Sequence, residues 1–237
     1  MKGTALITGG AKRIGRAIAL NLAREGFSIA LHYNSSKSDA ENVAKEITAM
    51  GRKCHLFPCD FNNMKKVFSL IPSVFKVFPD CNLLINNAAI FRRGRLLETD
   101  EDLFDRHFNI NFKTPFFISK DFASRCKNGN IINILDTKVA GTLIEYFIYT
   151  LTKKTLFAFT KMAAKELAPN IRVNSIAPGL ILPPSGESKK YLSKMIPHIP
   201  LKRKGKIKDI IDAVNFFIEN DYITGQCIFI DGGEHLK

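Results

Sequence analysis

Tyr149 and Lys153 stand four residues apart in "YTLTK", and Asp136 stands thirteen residues before the tyrosine, just after the apolar run "NIINIL". Residues at i and i+4 share one face of a helix. A protonated ammonium beside a phenol favours the phenolate, so the spacing predicts a tyrosine whose pKa is lowered toward a range useful for acid catalysis. Such pairs also occur on plain helices, and this one gains meaning only beside a cofactor site. Asp136 restricts the substrate. An ionised carboxylate cannot donate to a carbonyl oxygen that is becoming an alkoxide, and it repels the growing charge. A C=N bond differs, because the nitrogen that takes the proton becomes a neutral N–H. A tyrosine hydrogen-bonded to an acid can pass it a proton without an oxyanion hole. The opposing reading is that Asp136 marks a degenerate, inactive site.

The elements that must position these groups alternate along the chain. Nearly continuous apolar runs at 4–8, 27–33, 53–58, 82–86, 130–135, 171–177 and 227–231 are separated by amphipathic stretches such as "RIGRAIALNLAREG" and "FTKMAAKELAPN". Strands that are continuously apolar rather than alternating are expected to be buried on both faces. The expected fold class is α/β, a single-domain doubly wound parallel sheet of about seven strands with helices on both faces. Ligands in such sheets bind beyond the carboxyl ends of the strands. The one irregular stretch, 181–205, is rich in Pro, Ser, Gly and Lys and reads equally as a loop that closes on substrate or as ordinary loop.

"TALITGGAKRIGRAIALNLAREG" reads as a strand, a glycine turn and a helix. Gly9 and Gly10 allow the turn, Gly15 permits close packing of helix on strand, and the N–H groups at the helix start face a pyrophosphate. The spacing is not G-x-G-x-x-G, and Arg13 stands where a middle glycine is expected, so the context of first strand and first helix carries the reading. Arg13 can reach both a cofactor phosphate and a substrate. After the second run, "LHYNSSKS" offers His32, Tyr33, Asn34, Ser35, Ser36 and Lys37 before any carboxylate. A free ribose 2′-OH usually meets an acid there, so hydroxyls, an amide and cations favour a 2′-phosphate, and NADPH over NADH. A polar loop that ignores the adenosine is the other reading. Asp60 in "PCDFNN" can accept from an adenine amino group, and Asn87 and Ala88 leave room for a nicotinamide ribose, although turn chemistry explains them equally well. Phe91, four residues after Asn87, can stack on a flat heterocycle. As one of 19 phenylalanines it also suits a plain core position.

Of the 237 residues 46% are apolar, enough for one domain with a buried core. Five scattered cysteines without a CxxC pair favour reduced thiols and a cytoplasmic setting, and no metal is expected. No signal-peptide pattern and no apolar run of membrane-spanning length is present, so no membrane association is expected. The net charge of +13 raises nucleic acid as a partner, but the only dense basic clusters are "FRRGR" (91–95) and "LKRKGKIK" (201–208). With no recognition motif beside them, a Lys-rich solvated surface is preferred and nucleic acid is not expected.

"TGGAKRIG", "NNAA", Asn111 in "NINFKTPF", "YTLTK", "IRVNSIAPG" and "FIDGG" together resemble the short-chain dehydrogenase/reductase family over essentially the full length. The resemblance implies a Rossmann-type fold with strand order 3-2-1-4-5-6-7, usually assembled as a homotetramer. It implies Tyr149 as proton donor, Lys153 as the group that holds ribose hydroxyls and tunes Tyr149, and Asn111 as support for a proton relay. NADPH would lie along Gly9, Arg13, Ile14, Gly15, His32, Tyr33, Asn34, Ser35, Asp60, Phe61, Asn87, Ala88, Lys153, Pro178, Gly179 and Leu180. Most of the family carries a serine where this chain has Asp136. That acid, with Arg13, "LHYNSS", Phe91 and "YTLTK", resembles the pteridine reductases, and the C-terminal "DGGEHL" resembles bacterial dihydromonapterin and dihydrofolate reductases. These imply a pterin or folate substrate between Phe91 and the nicotinamide, with Arg13, Asp136 and Tyr149 around its polar edge. A carbonyl or 3-oxoacyl-thioester reductase on the same fold is the alternative activity.

Overall fold

The β-branched runs form seven parallel strands: β1 (Thr4–Ile7), β2 (Ser28–Tyr33), β3 (Cys54–Pro58), β4 (Cys81–Asn86), β5 (Gly129–Ile134), β6 (Ile171–Pro178) and β7 (Cys227–Ile230). The computed structural model describes residues 2–184 and 189–236. The strands make one sheet in the order β3-β2-β1-β4-β5-β6-β7, as the resemblance implied. After β3 the chain returns to pair β4 beside β1, so the direction of winding reverses between β1 and β4. A crevice at such a switch point, beyond the carboxyl ends of the strands, is where open α/β sheets bind ligands.

Helices α1 (Arg13–Arg24), α2 (Lys37–Ala49) and α8 (Ile207–Glu219) cover one face, with Ile18, Leu22, Ile47, Ile210 and Phe217 in a common core with β1 and β2. Helices α3 (Met64–Val77), α5 (Thr114–Arg125) and α6 (Phe147–Leu167) cover the other, through Val67, Ile71, Ile118, Phe122 and Ala163. Phe122 and Phe217 are fully buried, and truncating either to alanine costs about 3–5 kcal/mol. The expectation of burial on both faces holds for the five inner strands. It fails for β3 and β7, whose residues are partly open because each is an edge strand with one neighbour.

The stretch 181–205 holds a short helix, α7 (Lys189–Met195), and a helical turn at Ile196–His198. Ile181 and Ile199 are buried anchors. Gly205 N donates to Leu180 O at 3.0 Å and Leu201 N to Gly232 O at 3.1 Å, so the end of the stretch is tied to the segments that follow β6 and β7. Residues 185–188, part of the expected closing loop, lie outside the described residues. No described helix is long and apolar enough to cross a membrane, and all five cysteines are free.

Candidate active site

The turn from β1 into α1 is built around two close approaches. Gly9 has φ +63°, the left-handed region that glycine occupies without a Cβ penalty. A Cβ on Gly15 would lie 2.2 Å from Gly9 O and 2.5 Å from Asn87 Nδ2. Gly15 therefore lets α1 rest on the turn itself and on the end of β4, rather than on the strand as its spacing suggested. Asn87 Nδ2 donates to Thr8 O at 2.9 Å and to Gly9 O at 3.2 Å, while Asn87 N and Ala88 N donate to Thr8 Oγ1 at 2.9 and 3.0 Å. Two strand ends are thus fixed to each other at the switch point. Ile14 packs on the core, and Arg13, at φ +53°, donates from Nη2 to Pro183 O at 2.6 Å, linking the turn to the segment after β6.

α3 and α4 (Glu101–Phe108) are capped by the side chains of Asn63 and Asp100, but α1 has no side-chain cap and no acid in its first turn. Its orphan N–H groups and positive dipole end are left for an anion. With glycine where a Cβ would fill the cradle, these residues fit the pyrophosphate of a dinucleotide.

His32 is a correction. It was expected among the groups facing a 2′-phosphate, but its ring is buried and stacked on Phe61 with 4.1 Å between ring centres. Gly9 N donates to its Nδ1 at 3.0 Å, and its Nε2–H donates to Cys59 O at 2.9 Å. Burial lowers its pKa to about 4, against a smaller opposing effect of the Cys59 carbonyl. A neutral His32 holds the glycine turn and faces no phosphate. Phe61 is likewise buried packing, and Tyr33 joins the core. Asn34, Ser35 and Lys37 stay exposed at the end of β2, and Asp39 is neutralised by Lys12 at 3.0 Å. Asp60 Oδ1 accepts from Asn62 N at 3.0 Å and from Asn62 Nδ2 at 3.1 Å, which is turn chemistry. Pro178 ends β6. Gly179 N donates to Ile230 O at 3.0 Å, and a Cβ on Gly179 would sit 2.5 Å from Asp231 Cβ, so glycine lets the chain pass the C-terminal turn beside Leu180.

Asp136 follows β5 and Leu135, and its carboxylate is the hub of the catalytic groups. Oδ1 accepts from Lys138 N at 2.9 Å and Oδ2 accepts the Tyr149 hydroxyl at 2.8 Å. α6 sets Lys153 one turn beyond Tyr149, with Nζ 5.8 Å from the ring centre and donating to Ile134 O at 2.8 Å. Both side chains are buried. Their titration departs from expectation. Burial, then the charge of Asp136 and its hydrogen bond, hold the Tyr149 hydroxyl well above the usual tyrosine range. Burial pushes Lys153 down to about 8, with Asp136 opposing. The lysine therefore does not make a phenolate of Tyr149, because burial and the hydrogen-bonded Asp136 carboxylate both hold the proton on the hydroxyl. Burial also raises the Asp136 carboxyl, against the Lys138 and Tyr149 hydrogen bonds and the two lysines.

Asn111 lies in one turn of π-helix, Asn109–Lys113, between α4 and α5, a distortion that is frequent at functional sites. Its Oδ1 accepts from Ile90 N at 2.8 Å, and its Nδ2 donates to Ile90 O at 3.0 Å and to Thr152 Oγ1 at 3.2 Å. It braces the chain after β4 against α6 next to Lys153. Phe91 is a third exposed and meets Tyr149 edge to face at 4.7 Å between ring centres. Tyr146, which the sequence reading passed over, stacks on it at 4.0 Å with 8° between planes. An aromatic at i−3 from Tyr149 was the available signal.

Also unforeseen is the tie between the Asp136 turn and the C-terminus. Thr137 Oγ1 donates to Asp231, and Lys138 Nζ pairs with Glu234 Oε1 at 2.5 Å. Burial alone would raise Asp231, but hydrogen bonds from Thr137, His235 and Gly233 outweigh it and hold the carboxyl below the usual range. The basic Lys138 beside Asp136 and the acidic "DGGEHL" were both visible; their pairing across the chain was not.

A family model described as enoyl-(acyl carrier protein) reductase matches residues 9–235. The 3-oxoacyl-[acyl-carrier-protein] reductase FabG of Staphylococcus epidermidis is 35% identical over 246 residues, covering 100% of both chains. Pteridine reductase 1 of Leishmania tarentolae is 30% identical, covering 98% of this chain and 96% of the relative. Among solved structures, the FolM alternative dihydrofolate reductase 1 of Brucella suis in complex with NADP superimposes with a TM-score of 0.94 at 35% identity, over 99% of this chain and 96% of that one. The Brucella canis protein of the same name, also with NADP, gives 0.92 at 36%, over 99% and 95%.

Proposed function

We propose that this chain, which belongs to the short-chain dehydrogenase/reductase family, is an NADPH-dependent reductase of a pteridine-ring C=N bond, converting a dihydropterin, dihydromonapterin or dihydrofolate to its tetrahydro form. The observation that carries this reading is the hydrogen bond from the Tyr149 hydroxyl to Asp136 at 2.8 Å. The FolM and pteridine reductase relatives support it. When bound, NADPH supplies the hydride. The glycine turn, the uncapped start of α1, Asn87, Ala88, Lys153 and the Pro178–Leu180 segment are the residues that would hold it, with Asn34, Ser35 and Lys37 toward the 2′-phosphate.

Hydride adds to the ring carbon and one proton to the ring nitrogen, so no oxyanion develops. Tyr149 donates that proton. Its own high pKa makes a free phenolate costly, and Asp136, whose carboxyl burial raises above the usual range, can pass a proton to the tyrosine oxygen across the 2.8 Å they share. Water restores Asp136. Lys153 and Asn111 fix α6 and the chain after β4 around this pair, and Phe91 offers an aromatic wall for the heterocycle.

The second reading, a 3-oxoacyl-thioester reductase, is favoured by the full-length identity to FabG. Consumption of NADPH, followed by its absorbance with dihydropterins, dihydrofolate and an acetoacetyl thioester in parallel, separates the two. Turnover of the pterins or folate supports the proposal, and turnover of the thioester alone overturns it.

A further inference from the structure

Beside the catalytic tyrosine runs a basic strip, residues 91–95, of which the proposed chemistry uses only Phe91. Gly94 N donates to Glu145 O at 2.9 Å, Phe147 N donates to Gly94 O at 3.0 Å, and Gly94 bridges to Tyr146 in parallel. The strip is thus fixed to the chain entering α6. Its alternate residues face the same two neighbours: Phe91 stacks on Tyr146, and Arg95 Nη2 lies 3.3 Å from Glu145 Oε1. Arg93 acts on the Glu145 carboxylate as well; a backbone hydrogen bond and Arg95 are the larger influences that hold its pKa below the usual range. Phe91 and Arg95 thus both pack on the chain that enters α6, and Arg93 between them is near enough for its charge to act on Glu145. One end of the strip touches Tyr149. At the other end Arg95 pairs with the half-buried Glu145 carboxylate, and Arg92 and Arg93, which precede it, are both exposed. The strip already holds a carboxylate at its surface, and a net positive charge remains.

We infer that Arg93 and Arg95 form a subsite for a carboxylate on the substrate's tail, so that folate-type substrates are bound in preference to pterins with neutral side chains. The inference rests on the pterin-reductase reading. A heterocycle against Phe91 sends its substituent along the strip. There planar guanidinium groups can take a carboxylate with two parallel hydrogen bonds. Glu145 competes for the same cations and sets how much of the site is free.

Calorimetric titration of the NADP+-loaded protein with folic acid and with biopterin tests this without needing turnover. Folic acid is expected to bind more tightly. Arg93→Ser weakens folic acid relative to biopterin about tenfold (about 1.4 kcal/mol). Glu145→Gln, which releases Arg95, shifts the ratio the other way. A ratio of dissociation constants that is the same in all three proteins overturns the subsite. If that happens while dihydropterins are reduced, the reductase reading survives alone. If folic acid binds in an Arg93-dependent way but neither dihydrofolate nor any dihydropterin is reduced, the subsite survives and the reductase reading falls. Failure of both ligands to bind overturns both. An acetoacetyl-coenzyme A titration with the same Arg93 dependence and no response to folic acid assigns the strip to an anionic thioester and overturns the folate assignment.

Discussion

Replacing His32 by glutamine makes the pH dependence of stability a test of how the cofactor turn is held. The neutral ring accepts from Gly9 N and donates to Cys59 O, and it is 2% exposed. Its folded pKa of about 4 lies below the ordinary 6.5, so between those values the unfolded chain binds the extra proton. Stability from this group is therefore present above pH 6.5 and is lost as pH falls through 4. The gap corresponds to about 3 kcal/mol. At pH 7 His32→Gln costs about 1–3 kcal/mol for the disturbed buried hydrogen bonds. Urea denaturation of both proteins from pH 7 to below pH 4 should show the wild-type advantage shrinking and then reversing, by about 3 kcal/mol over the range. His107, whose pKa burial also lowers, titrates in both proteins and cancels in the difference. NADPH affinity of the wild type should fall only as pH approaches 4, where the folded ring takes its proton and a protonated Nδ1 cannot accept from Gly9. A stability gap that is constant with pH would refute the claim that a buried neutral imidazole holds this turn.

Asp136→Ser should lower dihydropterin turnover about a hundredfold, the lower end of what a positioned proton donor contributes, and leave NADPH affinity unchanged; steady-state kinetics and cofactor titration read the two separately. Gly15→Ala, with a Cβ 2.2 Å from Gly9 O, should destabilise the fold by about 1–3 kcal/mol and weaken NADPH binding, measured by denaturation and titration. Glu234→Gln removes the charge that neutralises Lys138; the freed ammonium beside Asp136 favours the carboxylate, so the pH–rate profile for a dihydropterin should lose activity at lower pH than in the wild type.

The strands were legible because parallel strands covered on both faces must be apolar at consecutive positions, and each run appears in the sheet within a residue or so of its sequence limits. Tyr149 and Lys153 were legible because helix periodicity is local. What escaped depends on neighbours distant in the chain. The direction of the Tyr149 pKa follows from burial and from Asp136, and spacing to Lys153 says nothing of either. His32 looks like a loop cation until Phe61 and Cys59 close over it. The Phe91–Tyr146 stack and the pairing of Thr137 and Lys138 with Asp231 and Glu234 join segments that only the sheet order brings together.

The central claim is that Asp136 is present because the bond reduced is C=N. The most direct measurement is kcat/KM of the unmodified protein for a dihydropterin set against that for an acetoacetyl thioester, repeated with Asp136→Ser. The account predicts that the wild type strongly prefers the dihydropterin and that the serine variant loses that preference. A wild type that prefers the thioester, or a preference that the serine leaves unmoved, would contradict it.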